Sequence, residues 1–179
     1  MKPKQPTLVL MAGFPGSGKT TLAAKLGREL GYPILDRDWL KVSFLKDGLD
    51  DERAGWFAYE ATLAYAEHLL VKQGLSILLD CSAHRRFVIN RIREITRIGD
   101  VELKVLLCVV DSKIRSQRIK GRKEYNGLFS YHLVRMTSIE EDIQEFAHLP
   151  LPPSPITCIL NTAEPLSLCV KKALEHLLR

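Results

Sequence analysis

Apolar residues in this chain gather in short unbroken runs rather than in alternation. Thr7–Ala12 (TLVLMA), Ile34–Leu35, Ser76–Leu79 and Leu103–Val110 are four such runs, and Ile156–Leu160 is a fifth, reached through the proline-rich connector LPLPPSPI at 149–156. Runs with no polar face suit strands covered on both sides. Between them the apolar spacing changes to three and four. In Thr20–Leu30, Leu22, Leu26 and Leu30 stand four apart, and Gly31 follows where a helix would stop. Phe57, Ala61 and Ala64 mark one stripe of Ala54–Lys72, closed by Gly74, and further helices are predicted over Phe87–Arg97, Ser112–Lys120 and Leu166–Leu178. Strands that alternate with helices predict an α/β three-layer sandwich: a parallel five-stranded sheet with right-handed crossovers and helices on both faces. Ligands of such sheets bind beyond the C-terminal ends of the strands. That edge would carry Gly13, Asp36, Asp80 and Asp111.

Composition narrows the class without naming it. The chain has 179 residues, 46% hydrophobic and 26% charged, which fits one globular domain over 1–179 with a single core. The formal charge of +5 suits an anionic ligand but equally describes scattered solubilising charge, and no run of like charges marks a nucleic-acid arm. Cys81, Cys108, Cys158 and Cys169 are widely spaced with no C-x-x-C pair, so reduced, mostly buried thiols are expected rather than a disulfide framework. Lys2 and Lys4 precede TLVLMA, yet that run meets GFPGSGK too early for a signal peptide or a membrane span. A cytoplasmic chain with no membrane partner is the expectation.

Gly13-Phe14-Pro15-Gly16-Ser17-Gly18-Lys19-Thr20 matches G-x-x-x-x-G-K-[ST], follows a predicted strand and opens a predicted helix. Each part has a physical task. Glycines let the backbone curl with its N–H groups inward, making an anion nest. The helix N-terminus adds partial positive charge beneath the phosphates. Lys19 reaches the β- and γ-phosphates, the Thr20 hydroxyl can ligate Mg²⁺, and Thr21 follows it in the first helical turn. These residues are the candidate cradle for a nucleoside triphosphate with Mg²⁺.

A P-loop needs further groups, and the chain offers candidates. Asp80 ends SILLD, from where a carboxylate can orient the metal or its water. An N-K-x-D signature for guanine is missing, since Asn161-Thr-Ala-Glu does not fit, and the chain is short for a transport or AAA-type ATPase. Arg115, Arg118 and Arg122 are spaced by three and four on one helix face. Unpaired, they would repel unless an anion sat opposite, so they are candidate groups on a lid of about 115–135 that neutralises the transferring phosphoryl group. In ILDRDWLK, residues 34–41, Asp38 stands beside the cradle on the acceptor side, where it can take or align the proton of an attacking hydroxyl. A simpler task is also open to it, capping a helix that begins WLKVSF. Arg37, Lys41 and Arg85 are candidate acceptor contacts. Trp56, Phe57 and Tyr59 would either stack an acceptor ring or belong to the core.

With these residues assembled, the chain resembles the P-loop kinases. The likeness is greatest to the kinase module of phage-type polynucleotide 5′-hydroxyl kinases and the predicted kinases related to it, through GFPGSGKT, DRDWLK, LLDCS and RIKGR. It spans residues 7 to about 135. The resemblance implies the P-loop NTPase fold and transfer of the γ-phosphoryl group of ATP to an acceptor hydroxyl. It further implies Asp38 as general base, Lys19, Arg118 and Arg122 as transition-state stabilisers, and Thr20 with Asp80 as metal groups. Lys41 stands where that group has an arginine, a point charge in place of a bidentate fork. A similar toolkit serves antibiotic, gluconate and adenylylsulfate kinases. The acceptor therefore stays open between a nucleic-acid 5′ end and a small molecule, and a non-catalytic nucleotide-binding module is the remaining alternative.

Overall fold

The computed structural model describes residues 5–81, 83, 85–121, 137–147 and 157–178. Five strands, β1 (Thr7–Ala12), β2 (Ile34–Asp36), β3 (Ile77–Asp80), β4 (Glu102–Val109) and β5 (Thr157–Asn161), form one sheet in the order β2-β3-β1-β4-β5, every neighbouring pair parallel. The helices are α1 (Lys19–Leu30), α2 (Arg37–Lys46), α3 (Asp51–Glu67), α4 (Arg86–Ile98), α5 (Ser112–Lys120), α6 (Ile139–Ala147) and α7 (Leu166–Leu177). One π-helical turn, His68–Lys72, extends α3 toward Gly74.

The unbroken apolar runs have the predicted cause. Alternate side chains of each strand enter different cores, because the period of a strand is two. Leu8, Leu10, Ala12, Ile77, Leu79, Val105 and Leu107 pack under α3, α4 and α6, against Tyr59, Leu63, Ile89, Ile92 and Phe146. Val9, Met11, Leu78, Leu106, Cys108 and Leu160 face the opposite way, onto Leu22, Ala23 and Leu26 of α1 and Cys169, Val170 and Ala173 of α7. Two cores flank one sheet, which is the three-layer sandwich predicted.

One helix start and one whole helix differ most from expectation. The helix after β2 starts at Arg37, not at Trp39, and its cap is Asp36, whose carboxylate accepts from the backbone N–H groups of Asp38 (2.8 Å) and Trp39 (3.4 Å). Asp38 lies inside the first turn and does not cap. Helix α6 was not predicted at all. Its start is a reciprocal capping box: the Glu141 N–H donates to Ser138 Oγ at 3.1 Å, and the Ser138 N–H donates to Glu141 Oε2 at 2.7 Å.

Candidate active site

β1 delivers the glycine-rich turn to the sheet's C-terminal edge. Gly13 has φ 131°, and a Cβ there would lie 2.3 Å from the Cys108 carbonyl oxygen of β4. Gly16 has φ 81°, with the Arg115 carbonyl 2.8 Å from its would-be Cβ. Both positions demand glycine on conformational and steric grounds. The turn runs into α1 with Gly18 as N-cap and no side-chain cap, so the first-turn N–H groups keep their capacity for an anion. Lys19 is buried, and its Nζ donates to the carbonyls of Gly13 (2.8 Å) and Phe14 (3.0 Å), which hold the ammonium over the loop. Ser17 is buried, whereas Thr20 and Thr21 are exposed at the helix start. Pro15 occupies the bend beside Phe14.

Beside this loop two acids end adjacent strands. Asp36 and Asp80 are partners in the β2–β3 register, and Asp80 is also the partner of Met11 in β1. Burial, then the charges of Asp80 and Asp38, raise the Asp36 carboxyl from 3.8 to about 6. Asp38 Oδ1 accepts from Arg37 Nη1 at 3.0 Å, and its side chain is 38% exposed. Cys81, the next residue after Asp80, is fully enclosed, and burial pushes its thiol up to about 12. The charges it senses are those of Asp80, Arg37, Lys19 and Asp38, so the phosphate-loop lysine and the candidate base act on one neighbourhood.

A cavity of about 650 Å³ opens beside Arg37, walled by α2, α3 and the start of α4. Arg37, Lys41 and Arg85, the three predicted acceptor contacts, all line it, with Trp56, Phe57, Tyr59 and Phe87. The aromatic residues divide. Tyr59 is 4% exposed and belongs to the core; Trp56 and Phe57 are 52% and 46% exposed. Arg37 is braced from three sides: Nη1 on Asp38, Nη2 on the Gly55 carbonyl at 3.0 Å, and its guanidinium 4.1 Å above the Tyr59 ring. Lys41 pairs with Asp51 at 2.6 Å.

The other flank holds a second cavity of about 420 Å³, lined by Gly16, Gly18, Thr21, Arg118 and residues 162–164. Arg118 donates from Nη2 to the Thr162 carbonyl (2.8 Å) and from Nη1 to Thr162 Oγ1 (2.9 Å), with Gly16 O at 3.4 Å. Thr162 Oγ1 in turn donates to the Ser17 carbonyl at 2.7 Å. Arg118 thus fastens the phosphate loop to the segment after β5.

Arg115 corrects the reading of three like cations on one stripe. It is 1% exposed, with Nη1 3.3 Å from Asp142 and Nη2 donating to Thr137 Oγ1 at 2.8 Å. Its guanidinium lies 5.1 Å from the Phe14 ring, which also meets Phe146 edge-on at 5.3 Å. Sequence spacing put Arg115 beside Arg118 but could not show that α6 brings Asp142 to it. Arg122, Ser82 and His84, together with most of the expected lid, lie outside the described residues.

The loop, the acid edge and the sheet order define a P-loop nucleotide-binding fold. The chain belongs to a family described as an AAA domain, whose model matches residues 8–143. Among solved structures, the chain is similar to a candidate kinase from Chloroflexus aurantiacus j-10-fl, with 22% identity, TM-score 0.71 and 97% of each chain covered. It is also similar to an APS kinase from Mycobacterium tuberculosis solved with AMPPNP and APS, with 17% identity, TM-score 0.67 and coverage of 99% and 100%. A shikimate kinase from Prosthecochloris aestuarii is 49% identical over 35 residues, a stretch of 20% of this chain and 18% of that protein. The structural likenesses show the P-loop kinase-type fold.

Proposed function

We propose that the protein is a phosphotransferase that moves the γ-phosphoryl group of ATP to a hydroxyl of a small molecule. The observation that carries this reading is the order of parts along one sheet edge: phosphate loop, two carboxylates, then a walled cavity with cationic and aromatic lining. Lys19, held over the loop by carbonyls, would exchange those acceptors for phosphate oxygens, a stronger charge-assisted partner. The nucleobase would occupy the cavity beside Arg118 and Thr162.

Mg²⁺ fits the donor set. Thr20 and Asp80 would supply hard oxygen ligands, and Asp36 beside Asp80 makes a pair of acids that a cation would relieve. Among the described residues no group of three or more His, Cys, Asp or Glu could hold a metal alone. That accords with a P-loop ion shared between one or two protein oxygens and the phosphates. Bound there, the ion would neutralise charge on the β- and γ-phosphates.

With capping assigned to Asp36, the Asp38 carboxylate remains available to align an acceptor hydroxyl and take its proton. Arg118, and Arg122 beyond the described residues, are proposed to meet the transferring phosphoryl group. Arg118 would first have to leave Thr162. Similarity to an APS kinase and, over a short stretch, to a shikimate kinase favours a small acceptor over a nucleic-acid 5′ end. The test is γ-labelled ATP incubated with a panel of sugars, hydroxy acids, nucleosides and 5′-hydroxyl oligonucleotides. Label should move to a small hydroxyl compound. Nucleotide binding with no transfer to any hydroxyl would overturn the reading.

A further inference from the structure

We infer that the acceptor carries two features besides its hydroxyl, an anionic group and a flat ring. This deepens the phosphotransferase reading and rests on it for the location of the acceptor. The cavity lined by Arg37, the residue that pairs with Asp38, supplies both halves of the recognition.

The anionic half comes from a convergence of like charge. Arg37 and Arg85 approach the same ring, their guanidinium carbons 4.1 and 5.9 Å from the Tyr59 centroid. Asp38 pairs with Arg37 alone, so a second anion bridging Arg37 and Arg85 would relieve the repulsion between the two guanidinium groups. Tyr59 is no such counter-ion, because burial raises its hydroxyl above the ordinary 10.0 and keeps it protonated. Arg37 places one guanidinium edge on Asp38 and Gly55, and its side chain, 12% exposed, also lines the cavity. Arg85 is exposed at the head of α4 and has no ion pair among the described residues. Lys41 is different: Asp51 already holds it at 2.6 Å, so it sets the cavity floor rather than offering a free charge. A carboxylate or phosphate reaching the two arginines would take charge-assisted hydrogen bonds, chiefly from the exposed Arg85 fork.

The ring half comes from an uncovered aromatic shelf. Trp56 is 52% exposed, its ring centroid 5.2 Å from that of Phe87, and Phe87 meets Tyr59 edge-on at 5.3 Å. The three rings form a continuous wall from the core to the cavity mouth, with the arginines against its inner end. A cavity of about 650 Å³ lies within the range that encloses a drug-sized ligand. An acceptor lying flat on Trp56 would point its anion inward at Arg37 and Arg85. Arg37 also holds Asp38, so the group that reads the anion is bonded to the group that would activate the hydroxyl.

The test separates binding from turnover. Binding of 4-(hydroxymethyl)benzoate and 4-(hydroxymethyl)phenyl phosphate is measured by tryptophan fluorescence and calorimetry without nucleotide. The controls are 1,4-benzenedimethanol, which lacks the anion, and glycolate, which lacks the ring. At least one ring anion should bind tenfold or more tighter than both controls, and the preference should weaken as salt rises. Arg85→Gln should abolish the advantage over the dimethanol, and Trp56→Ala the advantage over glycolate, with thermal melting confirming that both variants fold. Equal binding of ring anions and controls, or a preference untouched by both substitutions, overturns the inference. Selective binding in a protein that transfers no phosphate would instead leave this subsite standing and remove the proposed function.

Discussion

Asp36 and Asp80 face each other across the β2–β3 ladder, so the sheet brings two carboxylates side by side at the edge where the phosphate loop begins. The pair has a cost that pH controls. Burial and its acidic neighbours lift Asp36 from 3.8 to about 6 in the folded chain. Between those values the folded state keeps a proton that the unfolded state has released, so folding is relatively favoured at low pH and loses stability as pH climbs through about 4 to 6.

Asp36→Asn should therefore stabilise the protein at pH 8 and give no gain at pH 4. Asparagine caps a helix about as well as aspartate, so the α2 cap survives the change. Urea unfolding at the two pH values checks this. A gain of the same size at both would show that the charge of Asp36 is not what costs stability.

Arg115 and Asp142 are both nearly enclosed, and breaking such a pair from one side strands a buried charge. Asp142→Ala is expected to cost about 3–5 kcal/mol in chemical unfolding. The apolar double replacement Arg115→Met with Asp142→Leu should recover most of that loss. Because Arg115 also lies against Phe14, the single variant should weaken ATP binding too, measured by calorimetry.

At Gly13 the requirement is local. Gly13→Ala places a Cβ 2.3 Å from the Cys108 carbonyl at a φ of 131°. Strain of this kind costs roughly 1–3 kcal/mol before the overlap is counted. The variant should melt lower and lose nucleotide binding. Gly48→Ala, with φ 89° but nothing within 4 Å, should melt slightly lower and bind nucleotide normally.

Much of this architecture could be read from the chain because its cause is local. Leu8–Ala12 is apolar at every position since both faces are covered, and the glycines of the loop are imposed by backbone geometry. Misreadings arose where the deciding partner is distant. Arg115 looked like a lid cation until α6 supplied Asp142 from 27 residues away. Helix α6 does carry a sequence signal of its own: Ser138-Ile-Glu-Glu141 has capping-box spacing, and Ile139, Ile143 and Phe146 share one face. The cap of α2 was misplaced by two residues because Asp36 and Asp38 are chemically equivalent candidates, and only the path of β2 decides between them.

The central claim is that Asp38 serves the chemical step and not the fold or the nucleotide. It is tested by comparing wild type with Asp38→Asn in single-turnover transfer from γ-labelled ATP to the best acceptor of the panel. Nucleotide affinity is measured alongside. Transfer should fall by about 10²–10⁴-fold, the range for loss of a general base, while ATP affinity and melting temperature stay near wild type. Transfer at the wild-type rate in Asp38→Asn would contradict the account.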